Sequence, residues 1–115
     1  QKLSWSECRG TMQCTELQVP LDYSKPDGRA ITLSVLKVPA QGSDPIGAML
    51  VNPGGPGGSG VDYAAAADHY FGDALRSSFD IVGFDPRGVG AGAVAGDVTT
   101  LEDMSVLEKL RADEE

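Results

Sequence analysis

The stretch Asn52-Pro53-Gly54-Gly55-Pro56-Gly57-Gly58-Ser59-Gly60 packs five glycines and one hydroxyl into nine residues. Glycine lets a backbone turn sharply and approach a ligand closely, and a helix start that follows such a turn offers unpaired N–H groups to negative charge. An anion or an oxyanion is the natural guest. A second cluster, Gly83, Gly88, Gly90, Gly92 and Gly96, surrounds two charged residues, Asp85 and Arg87. Gly accounts for 15 of 115 residues, about twice the ordinary share of ~7%. The excess is local, which points to two special loops.

Phosphate and dinucleotide chemistry fit the first loop poorly. A P-loop needs G-x-x-x-x-G-K-[ST], and no Lys follows any of these glycines. Gly55, Gly57 and Gly60 satisfy G-x-G-x-x-G, but a run this rich in glycine meets many patterns by chance. Pro56 interrupts it, and only Asp85 could serve as the ribose-binding acid. Nucleophilic catalysis is incomplete as well. Ser59 lies in Gly57-Gly58-Ser59-Gly60-Val61, where Val61 stands in the place of the second glycine of G-x-S-x-G; it reads as a helix N-cap or loop hydroxyl. The one histidine, His69, lies in a predicted helix between Asp68 and Tyr70, whereas in the Ser…Asp/Glu…His order the histidine comes after nucleophile and acid; it reads as a helix-surface residue.

The surrounding pattern is that of an α/β protein. Thr15–Tyr23 alternates apolar and polar positions and leads into the turn Ser24-Lys25-Pro26-Asp27-Gly28. Ala30–Val38 alternates again and is expected to pair antiparallel with it. Pro45–Asn52 is almost continuously apolar, as a strand covered on both faces would be. Val61–Arg76, rich in alanine, predicts a crossover helix weakened by Gly72. Phe79–Asp85 predicts the next buried strand, ending at Pro86-Arg87-Gly88. Finally, Leu101, Met104, Leu107 and Leu110 mark an amphipathic helix behind a Thr99/Glu102 capping box. The expected organisation is a core segment 1–92, a small-residue linker 93–98 and a helix 99–115.

Two motifs in register carry a resemblance. Asn52–Gly60 resembles the oxyanion-hole loop of α/β-hydrolases related to proline iminopeptidases, and Phe79–Gly90, with Asp85-Pro86-Arg87-Gly88-Val89-Gly90, resembles the next strand and turn of that group. Val19-Pro20-Leu21-Asp22-Tyr23 extends the likeness toward the tripeptidyl-aminopeptidase-like branch. The resemblance implies the N-terminal part of an α/β-hydrolase fold: a mixed sheet with antiparallel first strands, then parallel strands joined by a crossover helix. It implies a serine attacking a carbonyl, with a backbone N–H at Gly55 donating to the developing oxyanion and Gly54 shaping the turn. Asp85 and Arg87 are expected to brace that loop by hydrogen bonding. After Gly90 the chain departs from the group, so 99–115 is either the helix before the nucleophile strand or the start of a cap.

The implied function is one chain or fragment of an exported serine hydrolase, an aminopeptidase releasing short peptides or prolyl residues. The serine and histidine would then come from a C-terminal remainder or from a second chain carrying G-x-S-x-G. A non-catalytic module using the glycine loop as an anion site, or an esterase or amidase of the same fold, is the competing reading. No cofactor or metal is called for. The net charge of −8, without a compensating basic cluster, disfavours nucleic acid and anionic membrane surfaces. No apolar run approaches the ~20 residues that span a bilayer, and the start at Gln1 looks processed. Cys8 and Cys14 are either a disulfide closing a short loop, which would imply export, or two separate thiols. The expected location is secreted or cell-envelope.

Overall fold

The computed structural model describes residues 2–53, 58–87 and 100–114. The first strand, β1 (Ser6–Cys8), returns as β2 (Met12–Pro20) through a three-residue turn, Arg9-Gly10-Thr11, in which Arg9 and Gly10 have φ of 47° and 88°. Cys8 and Cys14 are bonded to each other across this hairpin, with Cα atoms 5.9 Å apart. Of the two readings of the cysteine pair, the disulfide is the one realised. β2 ends at Pro20, three residues before the expected limit. The chain then turns at Asp22, whose carboxylate accepts from the Ser24 amide at 3.0 Å and the Ser24 hydroxyl at 2.7 Å. The Ser24 hydroxyl, then its amide, holds the Asp22 carboxyl below its ordinary pKa.

β3 (Ala30–Val38) pairs antiparallel with β2 through Leu17↔Leu33 and Val19↔Ile31. β4 (Gly47–Val51) is followed by three short helices, α1 (Gly60–Ala65), α2 (Ala67–Tyr70) and α3 (Asp73–Ser78), and then by β5 (Phe79–Phe84). β5 lies between β3, antiparallel, and β4, parallel, giving the order β1-β2-β3-β5-β4. The expected mixed sheet is therefore present. The expected single crossover helix is not: the chain breaks at Ala66 and again at Phe71, which is extended at φ −116°, ψ 136°. The break brings Phe71 to 5.9 Å and Tyr70 to 5.0 Å from the Tyr63 ring. Aromatic packing has outweighed the helical propensity of four consecutive alanines.

The last element is α4 (Thr100–Glu114). Alternation along the strands divides the core in two. Leu17, Val19, Leu33, Val35, Val82 and Phe84 meet Leu107 of α4 on one face. Leu36, Val38, Val51 and Ile81 meet Val61, Ala64 and Ala67 of α1 and α2 on the other. The result is a sheet sandwiched between helical layers. Close approach on the α1 side depends on two glycines, because a Cβ on Gly60 would lie 1.9 Å from the Phe84 carbonyl oxygen and one on Gly83 2.1 Å from that of Gly60. The linker 93–98, the capping residue Thr99 and the loop glycines Gly54 and Gly55 lie outside the described residues.

Candidate active site

The parallel strands β4 and β5 end side by side, with Val51 paired to Gly83, and in sequence each leads into one of the glycine clusters. In open α/β sheets this is the end that binds ligands. Ser59 stands just beyond the first cluster as the N-cap of α1, its hydroxyl oxygen accepting from the Asp62 amide at 3.1 Å. This is the capping role expected of it, and it adds a second bond by donating its hydroxyl proton to Asp85. Asp85, 5% exposed, also accepts from the Val61 amide at 3.1 Å. One buried carboxylate thus binds both the cap hydroxyl and a free amide of the first helical turn, where partial positive charge stabilises it. Cavity space of about 510 Å³ opens beside this cluster, bordered by Arg9, Thr15, Glu16, Ser59, Asp62 and Asp85.

Arg87 reaches to the opposite side of the sheet. Its guanidinium forks onto Asp103 of α4, Nη2 to Oδ1 at 2.9 Å and Nε to Oδ2 at 3.2 Å. Nη1 also donates to the Leu21 carbonyl at 2.9 Å and Nη2 to the Pro20 carbonyl at 3.0 Å. Both side chains are buried, at 2% and 0% exposure. The Tyr23 hydroxyl donates to the same Asp103 oxygen, and the Tyr23 ring lies 5.7 Å from the guanidinium carbon. Burial first, and the Asp103 hydrogen bond second, push the Tyr23 phenol far above its ordinary pKa.

Among the proposed residues, Cys8 and Cys14 form the disulfide, Asp85 sits against Ser59 at the exit of the first glycine loop, and Arg87 is held on Asp103. His69 is exposed on α2, its ring T-shaped to that of Tyr70 with centroids 5.4 Å apart. Among the described residues no group of three or more His, Cys, Asp or Glu could hold a metal ion. Sequence reasoning missed Asp103 and Tyr23. A signal existed: Asp103 lies four residues before Leu107, which places an acid on the buried side of the helix, where it needs a partner.

Antiparallel leading strands, a parallel pair closed by a helical crossover and helices on both faces make a mixed α/β sheet, consistent with the N-terminal part of an α/β-hydrolase fold. The chain is 46% identical over 97 residues to Carboxylesterase B of Mycobacterium tuberculosis, covering 76% of this chain and 18% of that protein. It is 41% identical over 98 residues to Serine protease Hip1 of the same species, covering 77% and 19%, and 39% identical over 101 residues to Tripeptidyl aminopeptidase of Streptomyces lividans, covering 79% and 19%. Over this stretch the chain is homologous to α/β-hydrolases of the serine peptidase-like group. It spans about a fifth of the length of these curated relatives. No family model matches the chain.

Proposed function

We propose that residues 1–115 form the N-terminal segment of an exported serine hydrolase and contribute its oxyanion-hole loop. In this reading the Gly55 N–H donates to the carbonyl oxygen as it becomes negative, Gly54 allows the close approach, and a serine and histidine outside these residues do the covalent and proton-transfer chemistry. One such donor is worth about 3 kcal/mol of transition-state stabilisation. The observation that carries the proposal is the anchoring of the α1 start by Asp85 at the C-terminal ends of β4 and β5. A loop that must present an N–H at a fixed point needs rigid ends, and this junction supplies one. The disulfide favours an oxidising compartment.

The unequal sheet edges support a larger assembly. β1, at one edge, has three residues, includes Glu7 and is tied by the disulfide; β4, at the other, is Gly-Ala-Met-Leu-Val with Ile46 beside it 77% exposed. An apolar edge strand is a template for further pairing, whereas a short charged one resists it. The names of the relatives cover peptidase and esterase chemistry, and the peptidase reading takes the substrate to be the amino-terminal end of a peptide. The test is labelling with a fluorophosphonate, which marks activated serines. The isolated chain should stay unlabelled, and the intact source polypeptide or its tightly associated partner should be labelled within G-x-S-x-G. In that labelled protein Gly55→Pro, which removes the N–H, should lower kcat by about 10²–10³-fold. A source protein that is a 12 kDa monomer without a reactive serine would overturn the proposal. Calorimetric binding of peptides or small acids to that monomer would then favour the anion-binding module.

A further inference from the structure

Asp85 and Arg87 are separated by one residue, yet they hold elements on opposite faces of the sheet. Asp85 binds the cap and first turn of α1, on the face built from Leu36, Val51, Val61 and Ile81. Arg87 binds Asp103 of α4, which covers the face built from Leu17, Leu33, Val82 and Phe84. The short segment 85–87 therefore passes over the end of β5 and grips both helical layers. Arg87 donates to acceptors on two separate stretches of chain, the carbonyls of Pro20 and Leu21 and the carboxylate of Asp103, and the Arg87–Asp103 pair is buried. Tyr23 adds a further bond to the cluster through its hydroxyl.

We infer that Tyr23 and Asp103 are positioning residues: through Arg87 they fix the 85–87 segment, and through Asp85 that segment fixes the exit of the glycine loop at Ser59 and Val61. The seat of α4 on one face is thereby coupled to the loop's exit on the other. The physical reason is geometric. A bidentate guanidinium–carboxylate pair specifies direction as well as distance, and one intervening residue leaves Asp85 little freedom once Arg87 is held. Packing alone would not supply this link, because the two helical layers belong to separate core clusters.

The coupling itself can be read on this chain without any assumption about its reaction. Hydrogen exchange at the Val61 and Asp62 amides, the donors to Asp85 and Ser59, should quicken by about two- to tenfold in Tyr23→Phe, the effect of losing one hydrogen bond. Asp103→Asn should quicken it further, while Leu17 and Leu33 in the β2–β3 ladder keep their protection. Acceleration confined to residues 20–23 and α4 would overturn the inference. If Asp103→Asn does not fold, Tyr23→Phe alone decides, since it removes a single oxygen. The consequence for catalysis rests on the serine hydrolase reading. In the fluorophosphonate-reactive protein, Tyr23→Phe should lower kcat on a p-nitrophenyl ester by about two- to tenfold with KM unchanged; a purely structural role would lower the amount of active enzyme and leave kcat per labelled serine intact, which would overturn it. Coupled exchange in a protein that never labels would sink the hydrolase reading and spare the coupling. Normal labelling with uncoupled exchange would do the reverse.

Discussion

Two buried carboxylates near the same strand end are satisfied in different ways. Asp85 accepts from a hydroxyl and a main-chain amide at the start of α1. Asp103 takes its bonds from a buried guanidinium and a phenol. The first arrangement holds a loop exit by local geometry, with the helix end supplying partial positive charge. The second joins three distant stretches of chain, at residues 20–23, 87 and 103, around one full charge pair. The difference predicts that the α4 side carries the greater stability cost when broken, and the α1 side the greater effect on loop placement.

The largest loss should follow Asp103→Ala. It leaves the Arg87 guanidinium buried without its carboxylate, at a cost of about 3–5 kcal/mol, read as a lower urea midpoint. Pairing the change with Arg87→Met removes the stranded charge, and the double variant should be more stable than Asp103→Ala alone. Equal losses in single and double variants would mean that the ion pair is not what holds α4. Next in size is Gly60→Ala. The added methyl meets main-chain atoms of Phe84 rather than a yielding side chain, so α1 must move away from β5, at about 1–3 kcal/mol or more. Its exchange effects should centre on α1 and leave the Asp103 cluster protected. Spread to α4 would blur the contrast between the two sides.

How much of this was legible in the sequence follows the range of the forces involved. The strands Ala30–Val38 and Phe79–Phe84 came through because alternation and apolar runs are local signals. The disulfide remained one of two readings, since spacing alone does not bring Cβ atoms together. The broken crossover was missed because the cause lies in Tyr63, Tyr70 and Phe71 packing on one another, which no helical propensity encodes. Ser59 was readable as a cap from its position before a helix, but its bond to Asp85 spans 26 residues. Arg87 was expected to brace the first glycine loop, whereas the partner it takes, Asp103, lies 16 residues further on, beyond the glycine-rich stretch and on the other face of the sheet. The donor role given to Gly55 rests on resemblance to a known group, and that residue lies outside the described ones.

On the α1 side, Ser59→Ala removes the acceptor for the Asp62 amide and the hydroxyl donor to Asp85. The cap alone is worth about 1 kcal/mol, and Ser59→Asp should restore capping while placing a second carboxylate against Asp85. Stability by denaturant titration should therefore fall in both variants, for different reasons. Full recovery in Ser59→Asp would show that capping, and not the bond to Asp85, is what this hydroxyl contributes.

The smallest effect should appear in alkali and tests the α4 side alone. Folding raises the Tyr23 pKa from an ordinary value of 10.0, by burial first and by donation to Asp103 second. Above about pH 10, the native state therefore holds a proton that the unfolded chain releases, and stability declines as pH rises. Below that point the contribution is fully present and does not vary. Other tyrosines and lysines titrate in the same range, so the informative quantity is the stability difference between the native sequence and Tyr23→Phe. That difference should be level from pH 7 to about 9.5 and narrow above about 10. A gap that stays constant through pH 11 would mean that the phenol gains nothing from Asp103, and the cluster would reduce to the Arg87 fork and its two carbonyls.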